Sequence, residues 1–315
     1  MGLPNGNLMR STAMLSIERW GLATVLALGL AACGGGGGGS SRVTGVFTTD
    51  NFAAVSTAVA SSVMDSGSLG DAPEVIGAGQ LSQAVSLARS TAQSLHRVGP
   101  QAVETREEAC AAGGRLVVTV TYANASTLTP GDTVDVVADN CIPEVGDPVI
   151  TGSFRLTVRS YSESSSRAAI SLEMTFSDYG TVEQRVNGRA DFSDELTMTS
   201  ERIVVTFRGM TVSTPSETLT WDHRLSYLYT SSVNEVSVSG RATVDEETYA
   251  LSQEQPYALD AMLGHPVGGV MRITDANGAR VDVTATTTRF TYTYYAAGAT
   301  TPTAGPVDGP LYEDL

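Results

Sequence analysis

The sequence predicts a mainly β protein: a large curved antiparallel sheet, as a meander or half-barrel, with one or two N-terminal helices on its apolar face. Three observations predict it. From about residue 115 to 295, short runs alternate apolar and polar residues with period two, as strands with one dry and one wet face do. Glycine recurs there in a degenerate frame, aliphatic-x-Gly-x-apolar-x-apolar, at Gly152, Gly188, Gly240 and Gly269. Two stretches ahead of this region carry apolar residues at helical spacing instead.

The chain opens with a leader, residues 1–32. Arg10 and Arg19 flank an apolar run over residues 20–32, which at thirteen residues falls short of the roughly twenty needed to span a bilayer as a helix. The run ends in Leu30-Ala31-Ala32-Cys33, and six glycines follow. This motif resembles the lipobox of bacterial lipoproteins, and the chain as a whole resembles β-rich envelope lipoproteins. The resemblance implies a diacylglyceryl group on the Cys33 thiol, cleavage after Ala32 and acylation of the new amino terminus. More than one acyl chain gives stable anchoring where one is marginal. It also implies an outer-membrane address, facing the periplasm or the cell surface, because Gly34 stands where an Asp would retain the protein in the inner membrane. A start at Met14 would give a compact signal of the same kind.

Residues 33–42 then form a lipidated cysteine and Gly/Ser tether, with a reach of roughly 15–18 Å. Residues 43–100 are expected to be helical. Asp50 is placed as the N-cap of a helix running to about residue 64, with Phe52, Val55, Val59 and Val63 on one stripe. A second helix is expected over residues 79–97, where Leu81, Ala84, Val85, Ala88, Ala92 and Leu95 share a face rich in small side chains.

Residues 101–297 form the antiparallel β domain. Phe154, Leu156 and Val158 alternate with polar neighbours, as do Ile170, Leu172, Met174 and Phe176, and Ile203, Val205 and Phe207. Asn277-Gly278 between two such runs predicts a type I′ hairpin turn. The glycine frame has intervals too uneven for a solenoid and reads as bulges or bends near strand starts. Residues 298–315, rich in Gly, Pro, Thr and Ala, are expected to be disordered.

With Cys33 assigned to lipid, Cys110 and Cys141 remain, and an exported chain with two cysteines left pairs them most simply as one disulfide. The predicted hairpin supports this. Strands at residues 116–122 and 133–137 pair so that positions sum to a constant near 254, and the cysteines sum to 251. Gly113 and Gly114 can absorb the offset.

Composition excludes several functions. The formal charge of −15, with acidic residues dispersed, argues against nucleic acid as a partner. All nineteen basic residues are arginine, so Schiff-base, Ser-Lys and phosphate-loop lysine chemistry are absent. The three histidines, His96, His223 and His265, have no metal-ligand spacing, and no cofactor motif is present. Asp191, Asp194 and Glu195 could hold calcium weakly, but a solvated loop suits them better. Asp275-Ala-Asn277-Gly278 lacks the later ligands of a calcium loop and reads as a turn.

The function expected is a membrane-anchored, non-enzymatic binding or structural module whose partners are the membrane, through Cys33, and an apolar ligand or envelope protein. Three alternatives stay open. An envelope hydrolase requires His223 or His265 to meet a carboxylate and a hydroxyl within about 3 Å. Asp222-His223 does not meet this by sequence adjacency, since strand neighbours face opposite sides. A carrier of an apolar ligand would use Phe290, Tyr292 and Tyr294, which share one strand face, as a platform; packing under the helices is the competing reading of the same rings. A membrane-spanning barrel fits the alternation but not the charges that recur along the strands.

Overall fold

The computed structural model describes residues 42–67, 102–124, 128–215, 218–260 and 265–312. All of them belong to one compact unit, Cys33–Leu315. One helix, α1 (Phe52–Gly67), precedes fourteen strands: β1 (Ala102–Ala109), β2 (Gly113–Tyr122), β3 (Thr133–Ile142), β4 (Ile150–Glu163), β5 (Arg167–Gly180), β6 (Arg185–Thr197), β7 (Ser200–Ser213), β8 (Thr218–Thr230), β9 (Asn234–Val244), β10 (Glu247–Leu259), β11 (Pro266–Thr274), β12 (Arg280–Ala285), β13 (Arg289–Tyr295) and β14 (Ala304–Leu311). The strands lie in sequence order in one open sheet, each antiparallel to the next. The mainly β class with a helix on the apolar face is therefore what the sequence folds into. The helix expected over residues 79–97 lies outside the described residues.

Alternation sets the two faces. On β5, Ile170, Leu172, Met174 and Phe176 are buried, whereas residues between them are more open. The same inner face continues through Phe154, Phe207, Trp221, Leu225, Met271, Ile273, Val281 and Val283. α1 packs on the part of this face made by β8, β9 and β12 to β14. Its buried stripe is Phe52, Ser56, Val59, Ala60, Ser62, Val63 and Ser66, at three- and four-residue spacing.

The capping residue lies earlier than Asp50, although α1 itself begins at Phe52. Thr48 is the cap: its Oγ1 accepts the Asn51 amide at 3.2 Å, and Asn51 Oδ1 accepts the Thr48 amide at 2.7 Å. This reciprocal pair satisfies two amides at once, an advantage that Asp50, inside the turn that the pair closes, cannot match.

The glycine frame marks bends. Gly152, Gly188, Gly240 and Gly269 all have positive φ. Gly152 faces a register shift in β5, where Asp178 is itself left-handed, and a Cβ on Gly152 would lie 2.0 Å from the Asp178 carbonyl oxygen. Gly188 faces the shift at Gly209 in β7, with Met210 Cα 2.8 Å from where its Cβ would be. Bulges opposed by glycine tighten the local twist and curve the sheet.

Cys110 and Cys141 are disulfide-bonded, with Cα atoms 5.5 Å apart. Leu116 stands opposite Ala138 and Val117 opposite Val137, and the offset is taken up between Gly113 and Arg115. Closing this loop stabilises the hairpin by roughly 3–4 kcal/mol in the chain-entropy view.

Two local expectations are corrected. The Asn277-Gly278 turn is not type I′: only Gly278 has positive φ, and Asp275 heads a longer turn by accepting the amides of Asn277 and Ala279, each at 2.8 Å. The Asp275 carboxylate, facing into the turn, selects this geometry. Its other oxygen accepts the Phe47 amide at 2.9 Å, and Gly45 and Thr44 bond to Thr248, so the segment over residues 44–47 is strapped to the sheet. The second correction concerns the tail. Much of residues 298–315, expected to be disordered, is ordered: β14 pairs with β13, and the single Tyr312 Oη proton is shared between the carbonyls of Arg289 at 2.9 Å and Thr286 at 3.1 Å. A Gly/Pro-rich composition is outweighed by the unmet backbone groups of β13 and by one anchoring aromatic ring packed on Phe290 at 5.0 Å.

Candidate functional site

The histidine that sequence reasoning raised for hydrolysis does meet a hydroxyl. β8 alternates so that Trp221 and His223 point inward while Asp222 points out, 3.7 Å from Arg241. His223 Nε2 lies 2.7 Å from Ser66 Oγ, and Trp221 Nε1 donates to Ser62 Oγ at 3.0 Å. Ser66 Oγ also lies 2.7 Å from the Val63 carbonyl oxygen. Ser66 Oγ thus has two acceptors in reach for its single proton, the Val63 carbonyl and the unprotonated form of Nε2, and the tautomer of the ring decides between them.

Chemically this is not the arrangement of an activated nucleophile. A general base must accept the serine proton and be oriented by a third group, but here the Val63 carbonyl competes for that proton at 2.7 Å. Burial pushes the imidazole down to about 4, so it is neutral and weakly basic at neutral pH. Among the described residues no carboxylate touches the ring; the Arg241 backbone pulls its pKa upward, against the larger effect of burial. Both side chains are sealed: Ser66 is 1% exposed and His223 2%. The rings of Phe207 and Trp221 close over the imidazole at 5.1 and 6.3 Å.

His265 places Nδ1 3.2 Å from the Pro266 carbonyl and stacks on Tyr312 at 4.8 Å. His96 lies outside the described residues. Asp191 and Glu195 project to the outer face, toward Arg208 and Arg167 respectively, whereas Asp194 is buried on the inner face. The three acids therefore do not converge on one ion. Among the described residues no group of metal-ligating side chains forms.

Phe290, Tyr292 and Tyr294 are brought together on the inner face of β13, but under α1 rather than in an open groove. Their exposures are 1%, 0% and 6%. Tyr294 stacks on Phe52 of α1 at 5.5 Å, and Phe290 packs on Tyr257 at 5.7 Å, whose Oη donates to the Val283 carbonyl. In this structure the three rings are packing groups, the competing reading of the sequence. Cys33 lies outside the described residues.

The outer face carries a different chemistry. Arg155 pairs with Asp135 across β3 and β4, and Arg159 with Glu173 across β4 and β5. Glu173 also takes Arg189 at 2.6 Å, Arg189 takes Asp191 at 3.1 Å, and Arg208 on β7 closes the row on Asp191. Although partial burial pulls it upward, hydrogen bonds from Arg208 and Arg189 hold the Asp191 carboxyl below its ordinary range. A face of alternating arginine and carboxylate meets water, not hydrocarbon, and the sheet is open; neither feature fits a membrane-spanning barrel. Near the disulfide, an open depression is lined by Glu107, Arg115, Asp139 and Asn140, with Arg115 holding both carboxylates at 2.8 and 3.0 Å.

Sequence reasoning missed Ser62 and Ser66. Their signal was present, because both fall on the apolar stripe of α1, where a small hydroxyl is conspicuous. Against known proteins, the chain matches no family model, no curated protein and no solved structure.

Proposed function

We propose that this chain is an envelope lipoprotein, anchored in the outer membrane through acyl chains on Cys33, whose β body is a non-enzymatic binding or structural module. The observation that carries the non-enzymatic half is the Ser66–His223 contact. Among the described residues this hydroxyl–imidazole pair is sealed, and the helix carbonyl of Val63 competes for the serine proton. Supporting the anchored half, the first described residues after the Gly/Ser tether are strapped to the body by bonds from residues 44–47 to Thr248 and Asp275. A pull on the tether is thereby borne by the sheet and not by α1. The filled inner face beneath α1 favours a surface that recognises an envelope protein over an enclosed apolar ligand.

The test is metabolic labelling with a palmitate analogue in the native host, comparing wild type with Cys33→Ser. The expected result is label on the wild-type chain only, with Cys33→Ser released from the membrane fraction. An unlabelled wild type would overturn the anchor. A serine-reactive phosphonate probe supplies the second arm: no adduct on Ser66 is expected, and an adduct there would restore the hydrolase.

A further inference from the structure

Among the described residues the open sheet has two edges, β1 and β14, and they differ. β14 carries Pro306 and Pro310, and its pairing with β13 is broken by two register shifts. Proline offers no amide, so this edge resists further pairing. β1 has neither proline nor glycine and holds an unbroken register with β2 from Ala102 to Ala109. Its side chains are open to solvent: Val103 is 68% exposed, and residues 105–109 are all exposed.

The direction of the free backbone groups follows from one bond. The Cys110 amide bonds to the Gly114 carbonyl at 3.2 Å, and these residues continue the β1–β2 register. In an antiparallel ladder, hydrogen-bonded and non-hydrogen-bonded positions alternate. Residues 104, 106 and 108 therefore bond to β2, while the amides and carbonyls of Val103, Thr105 and Glu107 point off the edge.

We propose that this edge pairs with itself: two copies of the chain join β1 to β1 antiparallel, about a two-fold axis at Thr105. In that register Thr105 faces Thr105 of the second copy and Val103 faces Glu107 of the second copy. Val103, Thr105 and Glu107 are then all at hydrogen-bonded positions. Glu104 faces Arg106 of the second copy, and Arg106 faces its Glu104, at the non-hydrogen-bonded positions where Cα atoms approach to about 4.5 Å. Within one chain these two side chains already pair at 2.8 Å while 38% and 67% exposed, so the exchange needs only rotamer changes. The adjacent registers that keep the same backbone bonds are repulsive. A slip one way sets Glu104 against itself; a slip the other way sets Arg106 against itself and Glu104 against Glu108. Charge on an edge strand normally blocks association. Here the Glu-x-Arg spacing blocks both adjacent registers and favours one that makes a symmetric, closed pair. Seven residues of pairing, 102–108, is small beside a standard interface, so the dimer is weak and calls for a trapping readout.

The experiment is disulfide trapping of the full chain in membranes under mild oxidation. Thr105→Cys places a thiol on the two-fold axis; Val103→Cys, four residues from its own copy along the paired strand, is the control. The expected result is a reducible band at twice the chain mass, of homodimer composition, for Thr105→Cys and not for Val103→Cys. Adding Glu104→Arg or Arg106→Glu should lower the band roughly five- to thirtyfold, since two cross-strand pairs turn repulsive. The double exchange Glu104→Arg with Arg106→Glu should restore it, which a folding defect would not do. Equal bands from both cysteine variants, insensitivity to charge, or trapping of a different protein would overturn the proposal.

Discussion

Ser66 Oγ on α1 lies 2.7 Å from His223 Nε2 on β8, one helical turn beyond the matching contact between Ser62 and Trp221 at 3.0 Å. The two bonds fit because a four-residue step along a helix rises about 6 Å and a two-residue step along a strand about 6.6 Å. A helix can slide along an apolar face at little enthalpic penalty, but a polar pair at each of two positions fixes the sliding coordinate. The serines and rings thus set where α1 sits.

Removing one partner leaves the other buried. Ser66→Ala should destabilise the fold by about 1–3 kcal/mol, the penalty for an orphaned buried polar group, and Ser62→Ala by a similar amount through the Trp221 indole. Urea unfolding checks both. A loss below about 0.5 kcal/mol for each would mean the bonds do not hold the helix.

Acid should loosen the same clip. Burial holds the folded His223 imidazole at about 4, against 6.5 for the free side chain. The unfolded chain therefore takes up the proton first as pH falls. The stabilisation is complete above about pH 6.5 and is lost between 6.5 and 4, reaching roughly 3 kcal/mol. Asp191 acts elsewhere on the scale: its carboxyl is depressed below 3.8, so its contribution is lost only at more acid pH. His223→Gln keeps a donor for Ser66 and does not titrate, so its thermal midpoint should fall less steeply from about pH 7 to 4.5. Parallel curves for the two proteins would contradict the assignment.

Much of the fold was legible because the sheet repeats one simple signal. Alternation at Ile170, Leu172, Met174 and Phe176 fixes which face is dry, and the Cys110–Cys141 bridge follows from hairpin register. What failed was decided by partners distant in sequence. Composition alone could not place β14, whose order comes from β13 and Tyr312, nor the Asp275 turn, shaped by a carboxylate that also binds Phe47. The candidate site was half legible. His223 was visible as a residue, but its role depends on Ser66, 157 positions away.

The glycine frame makes a sharp substitution test. Gly152→Ala puts a Cβ 2.0 Å from the Asp178 oxygen at φ 91, so backbone must move, at an expected loss of about 2–4 kcal/mol. Gly268→Ala, with nothing within 4 Å, should be near neutral. Comparable losses for the two would show that the frame does not mark bends.

The disulfide should matter most to the edge of the sheet. Replacing Cys110 and Cys141 together by serine should lower stability by roughly 3–4 kcal/mol and raise amide exchange first in β1 and β2. Exchange distributed evenly over all strands would argue against a local staple.

The most direct test of the account is the intact mass of the protein taken from its own membranes, measured under native and denaturing conditions. The account predicts a chain beginning at an acylated Cys33, two hydrogens lighter for the Cys110–Cys141 bond, with no small-molecule mass lost on denaturation. An unacylated chain, or a ligand released on unfolding, would contradict an anchored module that binds through its surface.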